Sequence, residues 1–216
     1  HGILHSFPTR RSSDLTLETL RRLGDAGGAA PTPAMLWARS AADAVRAQWL
    51  RRNGPVGRAE RLLVDALARQ RESDLPPPLR LRLVILHASL LDQGGKSEPA
   101  VRRYQEAIAL ADALPAPDWQ RAELRSSLAM TLHDAGESAR AREMMASGMA
   151  LAQASGDHRA LSALHNNQSI LLAQDSRGAI SAPERDAMLA ALDPARLAGS
   201  RRDEVLSMAN LADLSL

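Results

Sequence analysis

The chain has 216 residues, 45% of them hydrophobic but only 2% aromatic, so any core is built chiefly from Leu and Ala, the composition of close-packed helices and not of sheets. Its formal charge of +2 comes from 27 basic and 25 acidic residues of interspersed sign, which gives no support to nucleic-acid binding. There is no cysteine for a disulfide or a thiolate zinc site, which fits a cytoplasmic location, and no stretch approaches the ~20 uninterrupted apolar residues needed to cross a bilayer, so no membrane insertion is expected.

In chain order, His5-Ser6-Phe7-Pro8-Thr9-Arg10-Arg11-Ser12-Ser13-Asp14-Leu15 comes first and resembles, codon for codon, the translation of a short-read sequencing adapter. His1-Gly2-Ile3-Leu4 fits an adapter codon followed by a sample index. Residues 1–15 are therefore set aside as adapter-derived and disordered, and Thr16 is expected to be a break point within a longer gene. Thr16 to Leu23 reads as the remnant of an earlier helix, joined by the flexible stretch Gly24 to Pro33.

From Ala34 to Leu216 the sequence predicts a domain of helical repeats. Six positions recur in three copies with a period of about 41 residues. They are Ala47, Ala88 and Ala129; Leu50, Leu91 and Leu132; Gly54, Gly95 and Gly136; Ala59, Ala100 and Ala141; Leu63, Tyr104 and Met145; and Ala66, Ala107 and Gly148. In a helix-turn-helix unit the first small residue lets helix A approach its neighbour, and the apolar residue three positions on shares that face. The Gly is expected to end helix A with positive φ, and the small, large, small series to form the buried stripe of helix B.

Caps and breakers predict the elements. The first A helix runs from about Ala34 to Arg52 and the first B helix from about Val56 to Glu72, before Pro76-Pro77-Pro78. The second A helix spans about Leu79 to Gln93, and the second B helix begins at Ser97 as N-cap and ends near Pro115. The third pair starts behind Asp118 and runs from Ser138 to Ala154, stopped by Gly156. The fourth A helix starts behind Asp157, and its register is degenerate, with Ile170 and Ala173 in place of the small residue and the Leu. A short fourth B helix is announced by Ser181-Ala182-Pro183-Glu184 and a fifth A helix by Ser200-Arg201-Arg202-Asp203. The run Leu211 to Leu216 stops without a capping Gly or Asn, so truncation is expected there too.

The order small, apolar, turn Gly, Ala, large, small resembles the tetratricopeptide repeat. That resemblance implies an all-α, right-handed superhelical solenoid of antiparallel helix pairs. The usual repeat has ~34 residues, so this one is expected to lengthen each helix by about one turn, as in the long-helix arrays of bacterial signalling proteins. The family's Trp near the start of helix A and its Pro after helix B are not at their usual places.

Catalytic and cofactor motifs do not assemble. Gly95-Lys96-Ser97 ends like a phosphate loop, but the required earlier Gly falls at Leu90 and no strand precedes it. His133-Asp134 and Asp157-His158 are adjacent helical residues that point ~100° apart, and His87, His133, His158 and His165 show no His-x-x-x-His spacing for a metal. Asn167-Gln168-Ser169 is a sequon in mid-helix, and Met144-Met145 reads as core filler. The expectation is a protein that is not an enzyme and holds no cofactor or metal.

What remains is the concave face that this architecture lines with helix A residues, expected at Gln48, Arg51, Arg52, Arg82, Ser89, Asp92, Gln93, Met130, His133 and Asn167. Such a face binds a protein partner as an extended peptide or a helix. The Lys and Asn clamp that some family members use for a terminal carboxylate is not carried over, because Gln48, Ser89 and Met130 stand at the Asn positions. Leu164-His165-Asn166-Asn167 and Ala209-Asn210-Leu211-Ala212-Asp213-Leu214 resemble tetratricopeptide regions that precede diguanylate cyclase domains or sit in large bacterial transcription activators. The expected role is thus an interaction or sensory module of a larger bacterial signalling protein, the alternative being a free-standing scaffold or assembly factor. Open ends of such an array are expected to favour self-association.

Overall fold

The computed structural model describes residues 32–69, 75–175 and 182–201, and then 204–205 and 208–209. The readings of residues 1–15, of Thr16 to Leu23, of the end of the first B helix at Glu72, of the Ser181 cap and of Leu211 to Leu216 lie outside the described residues. The described elements are all helical, in a helical-repeat-like series: α1 (Pro33–Asn53), α2 (Val56–Ala68), α3 (Pro77–Gln93), α4 (Ser97–Ala113), α5 (Asp118–Asp134), α6 (Ser138–Ser155), α7 (His158–Asp175) and α8 (Ala182–Leu197). They fall into two compact units, residues 1–90 and 91–216, divided inside α3.

Helix starts shift by one or two residues wherever proline or a neighbour takes over the cap. α1 begins on Pro33, with the Met35 N–H donating to the Thr32 hydroxyl at 3.4 Å. α3 begins on Pro77 and not Leu79, because a Pro in the first turn gives up an N–H that has no intrahelical partner anyway. Ser97 is the first residue of α4 and not its cap, that place belonging to Lys96, and Pro117 stands before α5 where Asp118 was expected. Asp157 does cap α7, its Oδ1 accepting from the Ala160 N–H at 2.9 Å, and Gly156 ends α6 in the left-handed region at φ 65°.

In the first unit, Ala44, Ala47 and Leu50 of α1, Ala59, Leu63 and Ala66 of α2, and Leu83 and Leu90 of α3 form one cluster, with Leu75. In the second, Ala122 and Ala129 of α5 pack with Met145, Met149 and Ala152 of α6 and with Ala160, Leu164 and Leu171 of α7. α5 also packs on α4 and on α7, and α7 on α8. Every non-glycine position of the six sequence series is buried. Gly148 is buried as well, and a Cβ there would meet the Ala122 carbonyl oxygen at 3.0 Å and Leu164 Cδ2 at 3.1 Å, so α6 touches the backbone of α5.

The turn glycines divide. Gly95 (φ 69°) and Gly136 (φ 81°) end α3 and α5 alike: the Lys96 N–H donates to the Leu91 carbonyl at 2.9 Å, and the Glu137 N–H to the Leu132 carbonyl at 2.8 Å. Gly54 departs from the expected positive φ, standing at −151°. Pro55 follows it, and the residue before a proline is driven toward extended backbone.

The fourth A helix corrects the expected register. Ile170 is exposed, whereas Ser169 is fully buried one position earlier, so Ser169 fills the small slot. α8, read as short, has 16 residues and carries Pro194 inside it, which removes one backbone hydrogen bond from the helix.

Candidate binding face

The ten residues expected on the A-helix face divide between the two units. In the first, Gln48 on α1 is half-buried and its Oε1 accepts from Arg82 Nη2 of α3 at 3.4 Å, the one pair among the ten in direct hydrogen-bond contact. Arg51 and Arg52 occupy the last turn of α1, where a helix C-terminus favours positive charge. Arg52 is exposed, whereas Arg51 is half-buried and its Nε has no hydrogen-bond partner. Ser89 is half-buried on α3.

In the second unit Asp92 sits half-buried at the C-terminal end of α3, and Gln93 beside it is exposed. The Thr131 hydroxyl of α5 lies 2.9 Å from Asp92 Oδ1 and 3.0 Å from the Ser127 carbonyl, sharing one proton between them. Burial pushes the Asp92 carboxyl above its ordinary range; the Thr131 bond pulls it back and the nearby Asp134 charge adds to the rise. Asn167 of α7 donates through Nδ2 to the Ser126 hydroxyl of α5 at 2.9 Å. His133 Nδ1 lies 3.5 Å from the Ser138 hydroxyl at the start of α6. Met130 packs against the apolar cluster of α5, α6 and α7, which leaves it half-buried.

Six further side chains, outside the expected set, stand out in the two units. Ser126 and Thr131 are buried polar groups, 2% and 0% exposed, and each bonds a candidate residue on a neighbouring A helix. Their partners lie about forty positions away, a separation at which local spacing carries no signal. In the first unit, Asp43 of α1 pairs with Arg69, the residue that caps the end of α2, both side chains largely buried. Burial raises the Asp43 carboxyl more than Arg69, Arg39 and Arg46 lower it. The three tryptophans, Trp37, Trp49 and Trp119, all lie on A helices and all keep more than a third of their surface exposed. In so aromatic-poor a chain that signal was available, since exposed Trp is enriched at interfaces.

Among the described residues no group of three or more His, Asp or Glu is placed to hold a metal ion, and no helix is long and apolar enough to cross a membrane. The arrangement offers hydrogen-bond donors and acceptors, paired charges and exposed indoles, the chemistry of recognition.

No protein-family model matches the chain, and no curated protein matches it. Among solved structures it is similar to the crystal structure of BtubC (BKLC) from P. vanneervenii, with a TM-score of 0.72 and 20% sequence identity, covering 94% of this chain and 80% of that one. At that identity the likeness speaks for the all-helical, repeat-like fold alone.

Proposed function

We propose that this chain is a tetratricopeptide-like interaction module, a right-handed solenoid of hairpins about 41 residues long that binds an extended peptide or a helix along its A-helix face and performs no catalysis of its own. The observation that carries the reading is lateral contact between alternate helices in the second unit. α5 packs on α7 as well as on α6, and within that unit Thr131–Asp92 ties the last residues of α3 to α5 while Asn167–Ser126 ties α5 to α7. A helices bonded side by side bring their exposed polar residues to one side, the geometry that stacked hairpins use to hold extended partners. We assign the module to a cytoplasmic bacterial signalling protein, on the sequence phrases around Leu164 to Asn167 and Ala209 to Leu214.

Selection from a displayed library of random peptides tests the binding function. Enriched peptides are expected to lose at least about tenfold in affinity when Gln93→Arg and His133→Glu are combined on the A helices, a change of about 1.4 kcal/mol. They are expected to be unaffected by Arg102→Glu on the exposed side of α4. A library that yields no binder, or binders sensitive only to Arg102→Glu, contradicts the reading.

A further inference from the structure

Among the described residues, large apolar side chains are most open toward the C-terminal end. Leu197, Val205, Met208 and Leu189 are the most exposed of them, at 69%, 60%, 52% and 50%. Leu189 and Leu197 lie on α8, whose buried Ala187, Ala191 and Ala195 turn to the opposite side of the helix. Glu204, bonded to Arg196 Nε at 3.1 Å, ties the stretch that carries Val205 to the end of α8.

Arg185, Leu189, Asp193 and Leu197 follow one another at intervals of four and are all exposed, so they form one ridge of the helix surface. The ridge is self-complementary in charge. Leu189 stands midway between Arg185 and Asp193. In an antiparallel pair related by a two-fold axis at Leu189, each residue before the centre meets the residue equally far after it on the second copy. Arg185 of each copy then faces Asp193 of the other. The two Leu189 side chains meet at the axis, and Leu197 reaches the exposed Ala182–Pro183 start of the second helix. Ridges spaced by four interdigitate when helices cross at about −50°, the commonest packing between helices.

The ionic groups favour this occupant over a foreign one. Arg196 has Glu204 as a near partner, whereas Arg185 forms no ion pair among the described residues. The Asp193 side chain is 86% exposed and meets Arg196 only at 3.8 Å. Both members of the mirrored pair are thus open to a new contact. A uniformly acidic or uniformly basic helix would satisfy one of them and repel the other.

We propose that α8 is a self-association surface, through which two copies of this chain pair antiparallel about Leu189 with reciprocal Arg185–Asp193 ion pairs. Because α8 is a B helix, this contact is separate from the A-helix face of the reading above.

Sedimentation velocity tests it over a concentration series up to about 100 μM, enough to populate a dimer of micromolar Kd. The parent chain is expected to show a monomer–dimer equilibrium. Leu189→Arg, Arg185→Asp and Asp193→Arg, each alone, are expected to weaken dimerisation at least about tenfold, the last two by setting like charges against each other. Mixing the Arg185→Asp chain with the Asp193→Arg chain is expected to restore pairing as a heterodimer, because each ridge then meets its opposite. A single chain carrying both exchanges is expected to dimerise as the parent does.

A parent that stays monomeric overturns the inference, as does a dimer that the three substitutions leave intact. Failure of both the mixture and the doubly exchanged chain to dimerise overturns it too. So does a peptide from the library selection whose binding Leu189→Arg abolishes while the parent remains monomeric, since that gives the ridge to a foreign helix.

Discussion

The hairpin α5–α6 and the hairpin α7–α8 share a plan but are filled differently. In the first, α6 contributes Met145 and Met149 beside Gly148, which rests on the Ala122 carbonyl of α5. In the second, the buried residues among the described side chains of α8 are Ala187, Ala191 and Ala195, while its Leu189 and Leu197 are 50% and 69% exposed. On α7, Ala160, Leu164 and Leu171 join the α5–α6 cluster. Ser162, Asn166 and Ser169 are buried on the opposite side of that helix, which leaves α8 as the described element that covers them. Small residues allow close approach but bury little apolar surface, at ~25 cal/mol per Å². The α5–α6 hairpin is thus held by shape and apolar area, the α7–α8 hairpin by proximity, and α8 is the helix expected to lose hydrogen-exchange protection first.

The largest effect that would break this contrast is expected at Gly148. Gly148→Leu must displace a backbone oxygen, which no rotamer change can do, and overpacking of this kind costs about 3 kcal/mol or more. Chemical denaturation measures it, and an unchanged midpoint would show that α6 does not press on α5.

Two conservative substitutions should then move in opposite directions. Thr131→Val removes a buried hydroxyl that is bonded to Asp92, at an expected cost of about 1–2 kcal/mol. Ser162→Ala removes a buried hydroxyl with no partner on α7 and is expected to raise stability by about 1 kcal/mol, because an unsatisfied polar group is lost. Equal signs in the two unfolding curves would dissolve the distinction between bonded and orphaned groups.

The smallest effect is a pH dependence carried by α7. His165 Nδ1 has no partner, and burial holds the imidazole pKa below 6.5 while a Gln168 bond pulls the other way. A lowered folded-state pKa means that the unfolded chain binds the proton more readily. The contribution of His165 is therefore fully present above pH 6.5 and lost as pH falls below it. Unfolding curves across this window should show the slope in the parent and a shallower one in His165→Gln.

Much of this fold is legible in the residues. The small and large positions of three successive hairpins are the ones that become buried, since close helix packing demands those sizes there. Reading failed where a neighbour overrode the pattern. Pro55 turned Gly54 out of the left-handed region, and in α7 a polar Ser169, invisible to a search for Ala, took the buried small slot. The candidate face was legible as a set of residues but not as a set of bonds. Gln48 and Arg82, Asp92 and Thr131, and Ser126 and Asn167 meet only because separate helices are brought together. The tryptophans were missed because attention to periodic small residues passes over large ones outside the period.

The central claim is that partners bind along the A helices. A photo-reactive benzoylphenylalanine placed at exposed Gln93 on α3, or at exposed Arg102 on α4, tests it with a peptide from the library selection. The account predicts cross-linking to the peptide from position 93 and none from position 102. Cross-linking from position 102, or equally from both, would place the partner elsewhere and contradict it.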